Sequence, residues 1–288
     1  MIRLLKQPAA VVALAVFLTA GCSSAINRAT TGLMAGLDHA MLNQDDPAIV
    51  RDGAPSFLLM IDAQIGQDKN NADLLMAGAK LYGAYANAFV SDPIRARRLT
   101  DKAFSYSLRA LCIRKAELCK VYQQPYSDFI ALAQETTVQD VPVLYGFAAA
   151  WAGQVQTDTA NWAALADIPK IKALMERVIE LDETYDNGGA HLYLGVIASQ
   201  LPEALGGRPE QGKLHFARAI TLSKGHNLMA KVLYAQHYAR LVFDRELHDT
   251  LLKEVLIEDS AAEGFTLINV LAKERAAQLL NSAGDYFD

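Results

Sequence analysis

The chain has 288 residues, of which 52% are hydrophobic and 20% charged, and a formal net charge of −5. That acidic balance excludes nucleic-acid binding by a counterion-displacing basic surface, and it excludes a polybasic lipid-binding face. The length suits one large domain or a repeat array, and the apolar content is enough for a substantial core.

The N-terminus carries two cations, Arg3 and Lys6, followed by an apolar run of twelve residues from Ala9 to Ala20. A membrane-spanning helix needs roughly 20 such residues, so the run fits the core of a signal peptide instead. Leu18-Thr19-Ala20-Gly21-Cys22 closes it and resembles a bacterial lipobox. The resemblance implies cleavage before Cys22 and acylation there, with residues 1–21 as signal peptide and 22–30 as a lipidated linker. Two or more acyl chains anchor a protein stably where one is marginal. Ser23 follows the cysteine rather than Asp, which points to the outer membrane. Loss of Arg3 and Lys6 with the signal takes the mature chain from −5 to −7. No later apolar run approaches spanning length, so residues 31–288 are expected to form a tethered helical domain without a membrane span of its own.

Beyond the linker the chain reads as all-α, with strand signals scarce. Asp46-Pro47 and Asp92-Pro93 each read as an N-cap followed by proline in the first helical turn. Pro55, Pro142, Pro169 and Pro209 are expected to open helices in the same way. Apolar residues recur at helical spacing in three sets: Ala96, Leu99, Ala103, Tyr106, Ala110; then Ile171, Leu174, Val178, Leu181; then Leu228, Val232, Ala235, Ala239, Val242. Each set forms one stripe on a helix.

Cys112 and Cys119 stand seven residues apart in a chain destined for an oxidising compartment. On an unbroken helix they would lie about 10.5 Å apart, beyond the roughly 7 Å a disulfide tolerates between Cα atoms. Bonding therefore requires the helix to end near Ile113–Lys115; otherwise the pair are two buried thiols.

The helices pair into degenerate tetratricopeptide-like repeats. Leu194-Gly195 sit on a first helix, and Gly212, Phe216 and Ala219 on a second. Small residues let such helices approach, and the phenylalanine fills the wedge between them. Weaker echoes start at Leu74–Gly78 with Ala103 and Ala110, and at Leu144–Gly146 with Met175 and Val178. A fourth pair runs from Leu228 through Leu256. In such arrays the first helices line a concave binding surface. Tyr82, Tyr85, Asn87, Trp151 and Tyr193 are the candidates for that face, although aromatics at these positions also serve as core.

No catalytic, metal or cofactor site emerges. Gly207–Lys213 matches G-x-x-x-x-G-K, but Leu214 follows where a phosphate loop needs Ser or Thr, and a helix precedes it instead of a strand. His215, His226, His237 and His248 recur every eleven residues; at about 16 Å per interval along a helix, no two could share a metal. Asp45-Asp46 and Asp182-Glu183 read as solvated or capping carboxylates. Asp244 reads as a helix cap, with Arg240 one turn earlier.

Several longer stretches then point to one family. Gly188-Gly189-Ala190-His191-Leu192-Tyr193-Leu194-Gly195, Leu205-Gly206-Gly207-Arg208-Pro209-Glu210 and His215-Phe216-Ala217-Arg218-Ala219-Ile220 resemble the T component associated with TRAP transporters. Asn227–Ala235, Tyr238–His248, Leu267-Ile268-Asn269 and Ala272–Ala276 fit the same family. Gly206, Gly207 and Pro209 would form its structural loop. The resemblance implies a non-catalytic periplasmic lipoprotein of paired helices. It also implies that the chain partners the solute-binding P subunit, assembles as a trimer, and handles ligand through a cavity or pore. The alternative is a general tetratricopeptide adaptor for outer-membrane or peptidoglycan assembly.

Overall fold

The computed structural model describes residues 36–288. The signal peptide, the 22–30 linker and the acylation expected at Cys22 lie outside the described residues. A helical segment at 36–42 leads into α1 (Pro47–Gln67), α2 (Ala72–Phe89), α3 (Pro93–Arg114), α4 (Ala116–Val121) and α5 (Tyr126–Gln134). Then come α6 (Val141–Thr157), α7 (Trp162–Leu165), α8 (Ile168–Asp182), α9 (Gly189–Ala198) and α10 (Pro209–Leu222). The last group is α11 (Leu228–Leu233), which runs on as a π-helical stretch (Tyr234–Ala239), then α12 (Arg245–Ile257), α13 (Thr266–Asn281) and α14 (Ala283–Phe287). No strand occurs among the described residues, so the fold is all-α.

The caps follow local chemistry. Asp46 accepts the Ala48 N–H at 2.8 Å and Asp92 the Arg95 N–H at 2.6 Å, each beside a proline whose missing donor costs nothing in the first turn. Pro142, Pro169 and Pro209 also lie in first turns. Pro55 does not open a helix; it lies inside α1. No capping residue precedes it, and the buried stripe Val50, Ala54, Leu58, Ile61 and Ile65 runs straight through. Burial of that stripe offsets the one backbone bond a mid-helix proline removes.

Consecutive helices pack as pairs: α2 on α3, α6 on α8, α9 on α10, and α12 on α13. α6 also packs on α3 and α8 on α9, while α10 reaches the last pair through α11 and the π-helical stretch. Between α9 and α10 the backbones meet at glycines. A Cβ on Gly195 would lie 2.8 Å from the Phe216 ring, and one on Gly212 would lie 3.0 Å from the Gly195 carbonyl oxygen and 2.2 Å from Ser199 Oγ. The loop between these helices needs glycine for the same reason. Gly206 has φ +85°, and a Cβ on Gly207 would stand 1.7 Å from the Leu201 carbonyl oxygen.

Two apolar clusters result. The larger spans α1 to α9; the smaller joins Phe216 of α10 to α11, the π-helical stretch, α12 and α13. α9 serves both, since Ala190 and Leu194 belong to the first while Leu192 and Val196 pack against the second. The chain also circles back on itself: Leu267 of α13 packs against the first cluster, α13 touches α1, and Asn43 bonds Gly264.

α3 ends at Arg114, and Lys115 adopts φ −141°, ψ 70° before α4 starts. That break brings Cys112 and Cys119 to a Cα separation of 4.9 Å, joined as a disulfide.

Candidate functional site

The sequence assigned Tyr82, Tyr85, Asn87, Trp151 and Tyr193 to one ligand-facing surface; the structure separates them. Trp151 is 2% exposed and belongs to the core. Phe147, Phe104, Tyr122 and Phe129 surround its ring, with centroids 5.1, 5.9, 6.1 and 6.2 Å away. α3 and α5 cover the α6 face that carries it, which no single-helix stripe reveals. Tyr85 is buried against Phe89, with the Arg95 guanidinium over its ring. Asn87 is exposed on α2.

Tyr82 is buried at a polar junction of α1, α2 and α3. Its hydroxyl donates to Asp62 at 2.8 Å, Tyr106 donates to the other oxygen at 2.7 Å, and Lys102 pairs with the same carboxylate. Burial works against the Asp62 charge, but the hydrogen bonds from Lys102, Tyr106 and Tyr82 outweigh it and hold its pKa below the ordinary value. Burial likewise opposes the Lys102 charge, and the bonds to Asp62 and Tyr82 overcome that and raise its pKa. Every member has a partner, so the cluster clamps three helices and leaves no free reactive group.

Tyr193 lies elsewhere, half-buried on α9, in edge contact with Tyr145 of α6 at 6.0 Å. Tyr145 also meets Tyr185 at 5.3 Å and donates its hydroxyl to Asp186 at 2.5 Å. Burial pushes the Tyr193 hydroxyl up to about 12, and burial together with Tyr193 and Asp186 raises the Tyr145 hydroxyl well above its ordinary value. Asp186, Asn187 and Gly188 all have positive φ, at 51°, 54° and 80°. Short polar side chains and glycine tolerate that region best, and the left-handed turn aims Asp186 back at α6. This tyrosine group joins the α6 and α9 first helices. Sequence reading found only Tyr193 of its members, because Tyr145 and Tyr185 meet it through tertiary contact.

The histidines are dispersed. His248 is fully buried and bonds the Arg240 Nε and Asp249. His215 meets His191 across the α9–α10 seam. Asp244 accepts the Leu247 N–H at 2.9 Å as a cap. Gly225 (φ 77°) and Phe243 (φ 56°) interrupt any long helix through these residues. Among the described residues, no three His, Cys, Asp or Glu side chains gather to hold a metal, and no helix is long and apolar enough to cross a membrane.

The profile of the TRAP transporter T-component family matches residues 43–287. The chain belongs to that family. An uncharacterized protein of Treponema pallidum (strain Nichols) is 24% identical over 270 residues, spanning 85% of this chain and 81% of its own. As a T component, the protein has an accessory role to a TRAP transporter. The match runs from the residue that closes onto Gly264 to the last helix, so it covers the whole circuit and both apolar clusters. The tyrosine group and the Gly206-Gly207-Pro209 loop both fall within this T-component body.

Proposed function

We propose that this T component is a lipid-anchored periplasmic protein that docks the solute-binding P subunit of its transporter and shelters the ligand as it moves between them. The anchor is Cys22, in the outer membrane, and the body assembles as a trimer. The 31–288 helical array acts as a rigid docking frame with tetratricopeptide-like pairs, and it performs no covalent chemistry.

The observation that carries this reading is the return of the last helices onto the first. Leu267 packs against the α1–α9 cluster, and Asn43 meets Gly264. On this reading the half-buried rings of Tyr145 and Tyr193, which meet between α6 and α9, border the ligand path. Family membership supports the choice of partner over envelope-assembly proteins.

The test mixes the purified full chain with its cognate P subunit and follows complex formation by light scattering and calorimetry. A saturable complex supports the reading; its absence at tens of micromolar overturns it. A bulky Tyr193→Trp substitution should slow ligand exchange within the complex without preventing its formation.

A further inference from the structure

We propose that His191 and His215 form a two-nitrogen site for a divalent d-block cation, of the copper(II) or nickel(II) type, that staples α9 to α10. The two Nδ1 atoms face each other at 2.9 Å across the helix seam. On its other side, His191 Nε2 lies 3.3 Å from Glu183 Oε1, and Arg218 grips the same carboxylate through Nε at 2.8 Å and a second N–H.

This arrangement fixes the tautomers. Arg218 donates two N–H groups to Glu183, so the carboxylate faces His191 as an acceptor, and His191 carries its proton on Nε2. Its Nδ1 is then a bare lone pair aimed at His215, which donates Nδ1–H to it. An imidazole whose far N–H is donated to a carboxylate, itself held by a second group, is how proteins prepare histidine as a metal ligand.

The spacing matches as well. Metal–imidazole bonds of about 2.0–2.1 Å at a right angle place two nitrogens about 2.9 Å apart. Copper(II) and nickel(II) favour such tetragonal positions, and affinity for nitrogen sites rises from nickel to copper and falls again at zinc. The cation replaces the hydrogen bond from a position off the line between the two nitrogens: both Nδ1 lone pairs turn toward the ion, His215 releases its Nδ1 proton to solvent and takes one up on Nε2, and water fills the remaining positions. His191 is 5% exposed while His215 is partly open to solvent, so the ion enters from the α10 side. The seam it would pin is the one shared by the two apolar clusters.

The test titrates Cu²⁺, Ni²⁺ and Zn²⁺ into the full chain carrying Cys22→Ser, which leaves it without its lipid anchor and, with Cys112–Cys119 bonded, without a free thiol. Expected are one saturable site, affinity falling from Cu²⁺ to Ni²⁺ and Zn²⁺, and a copper(II) spin-resonance signal coupled to two imidazole nitrogens. His215→Ala and His215→Asn should each weaken Cu²⁺ binding at least 100-fold while leaving the helical circular-dichroism signal intact. Glu183→Gln should weaken it 10–100-fold by releasing the His191 orientation. Cu²⁺ binding undiminished in both His215 variants, coupling to one nitrogen, or no saturable site up to millimolar Cu²⁺ would each overturn the proposal.

Discussion

Asn43 and Gly264, 221 positions apart, meet in one hydrogen bond: the Asn43 Oδ1 accepts the Gly264 N–H at 2.8 Å. Gly264 has φ +78°, a conformation that points its amide at the incoming side chain. The bond joins the start of the described helices, just before α1, to the turn that leads into α13.

Gly264→Ala should open that closure. The methyl meets no neighbour within 4 Å, so the cost is backbone strain alone, about 1–2 kcal/mol. Asn43→Ala removes the acceptor and should act in the same direction. Hydrogen exchange checks both. Faster exchange is expected at the Gly264 amide and in the first turn of α13, with α6 unchanged. Uniform loss of protection across the chain would mean that closure and core unfold together.

The α9–α10 seam depends on glycine at its crossing. Gly195→Ala drives a methyl into the Phe216 ring at 2.8 Å, an overpacking defect of about 1–3 kcal/mol. Adding Phe216→Leu should recover part of that loss, because the ring is what the methyl strikes. Urea denaturation of the two single variants and the double variant measures the coupling. Strictly additive losses would show that the seam tolerates the methyl and that the strain lies elsewhere.

The caps and the paired packing were legible in the sequence because their signals are local. Asp46, Asp92 and Asp244 each stand beside the amides they cap, and Gly195, Gly212 and Phe216 mark their crossing by spacing alone. Pro55 was misread because proline in a first turn and proline inside a long helix differ only in what precedes them. Trp151 and Tyr85 read as surface candidates because tertiary packing decides which face is covered: Phe104 of α3 and Phe129 of α5 pack on Trp151, and Phe89 and Arg95 pack on Tyr85. Glu183, His191, His215 and Arg218 come from the C-cap of α8, from α9 and from α10, and no spacing within one helix announces their meeting. The same holds for Asp62, Tyr82, Lys102 and Tyr106.

The Cys112–Cys119 bond closes a short loop over the α3–α4 break. Loop-closure entropy for about eight residues is worth about 2.5 kcal/mol. Reductant should lower the melting temperature of the wild-type chain, and Cys112→Ser/Cys119→Ser should melt at the reduced value whatever the redox state. Thermal scans with and without dithiothreitol test this. The α3–α4 corner also sets Tyr122 against Trp151, 6.1 Å between centroids, so reduction should shift the Trp151 emission. Trp162, 84% exposed, reports separately through iodide quenching.

The Asp62 cluster predicts opposite losses at the two ends of the pH scale. The folded pKa of Asp62 lies below its ordinary value, so the folded state binds fewer protons than the unfolded chain in the acid range. Its stabilisation is complete above the ordinary carboxylate value of about 3.9 and is lost as pH falls through the lower folded value. Lys102 runs the other way: its folded pKa is raised, so its contribution is complete below about 10.4 and is lost as pH climbs through the folded value. Asp62→Asn leaves Lys102 half-buried without its counter-charge and should lower the melting temperature at neutral pH. The gap between wild type and Asp62→Asn should stay constant from pH 5 to 8, then narrow below pH 4 as the wild-type carboxylate takes up its proton. Melting curves at half-unit pH steps decide the matter. A gap that widens on acidification would mean that Asp62 is held in its protonated form, with the tyrosine and lysine donors engaged elsewhere.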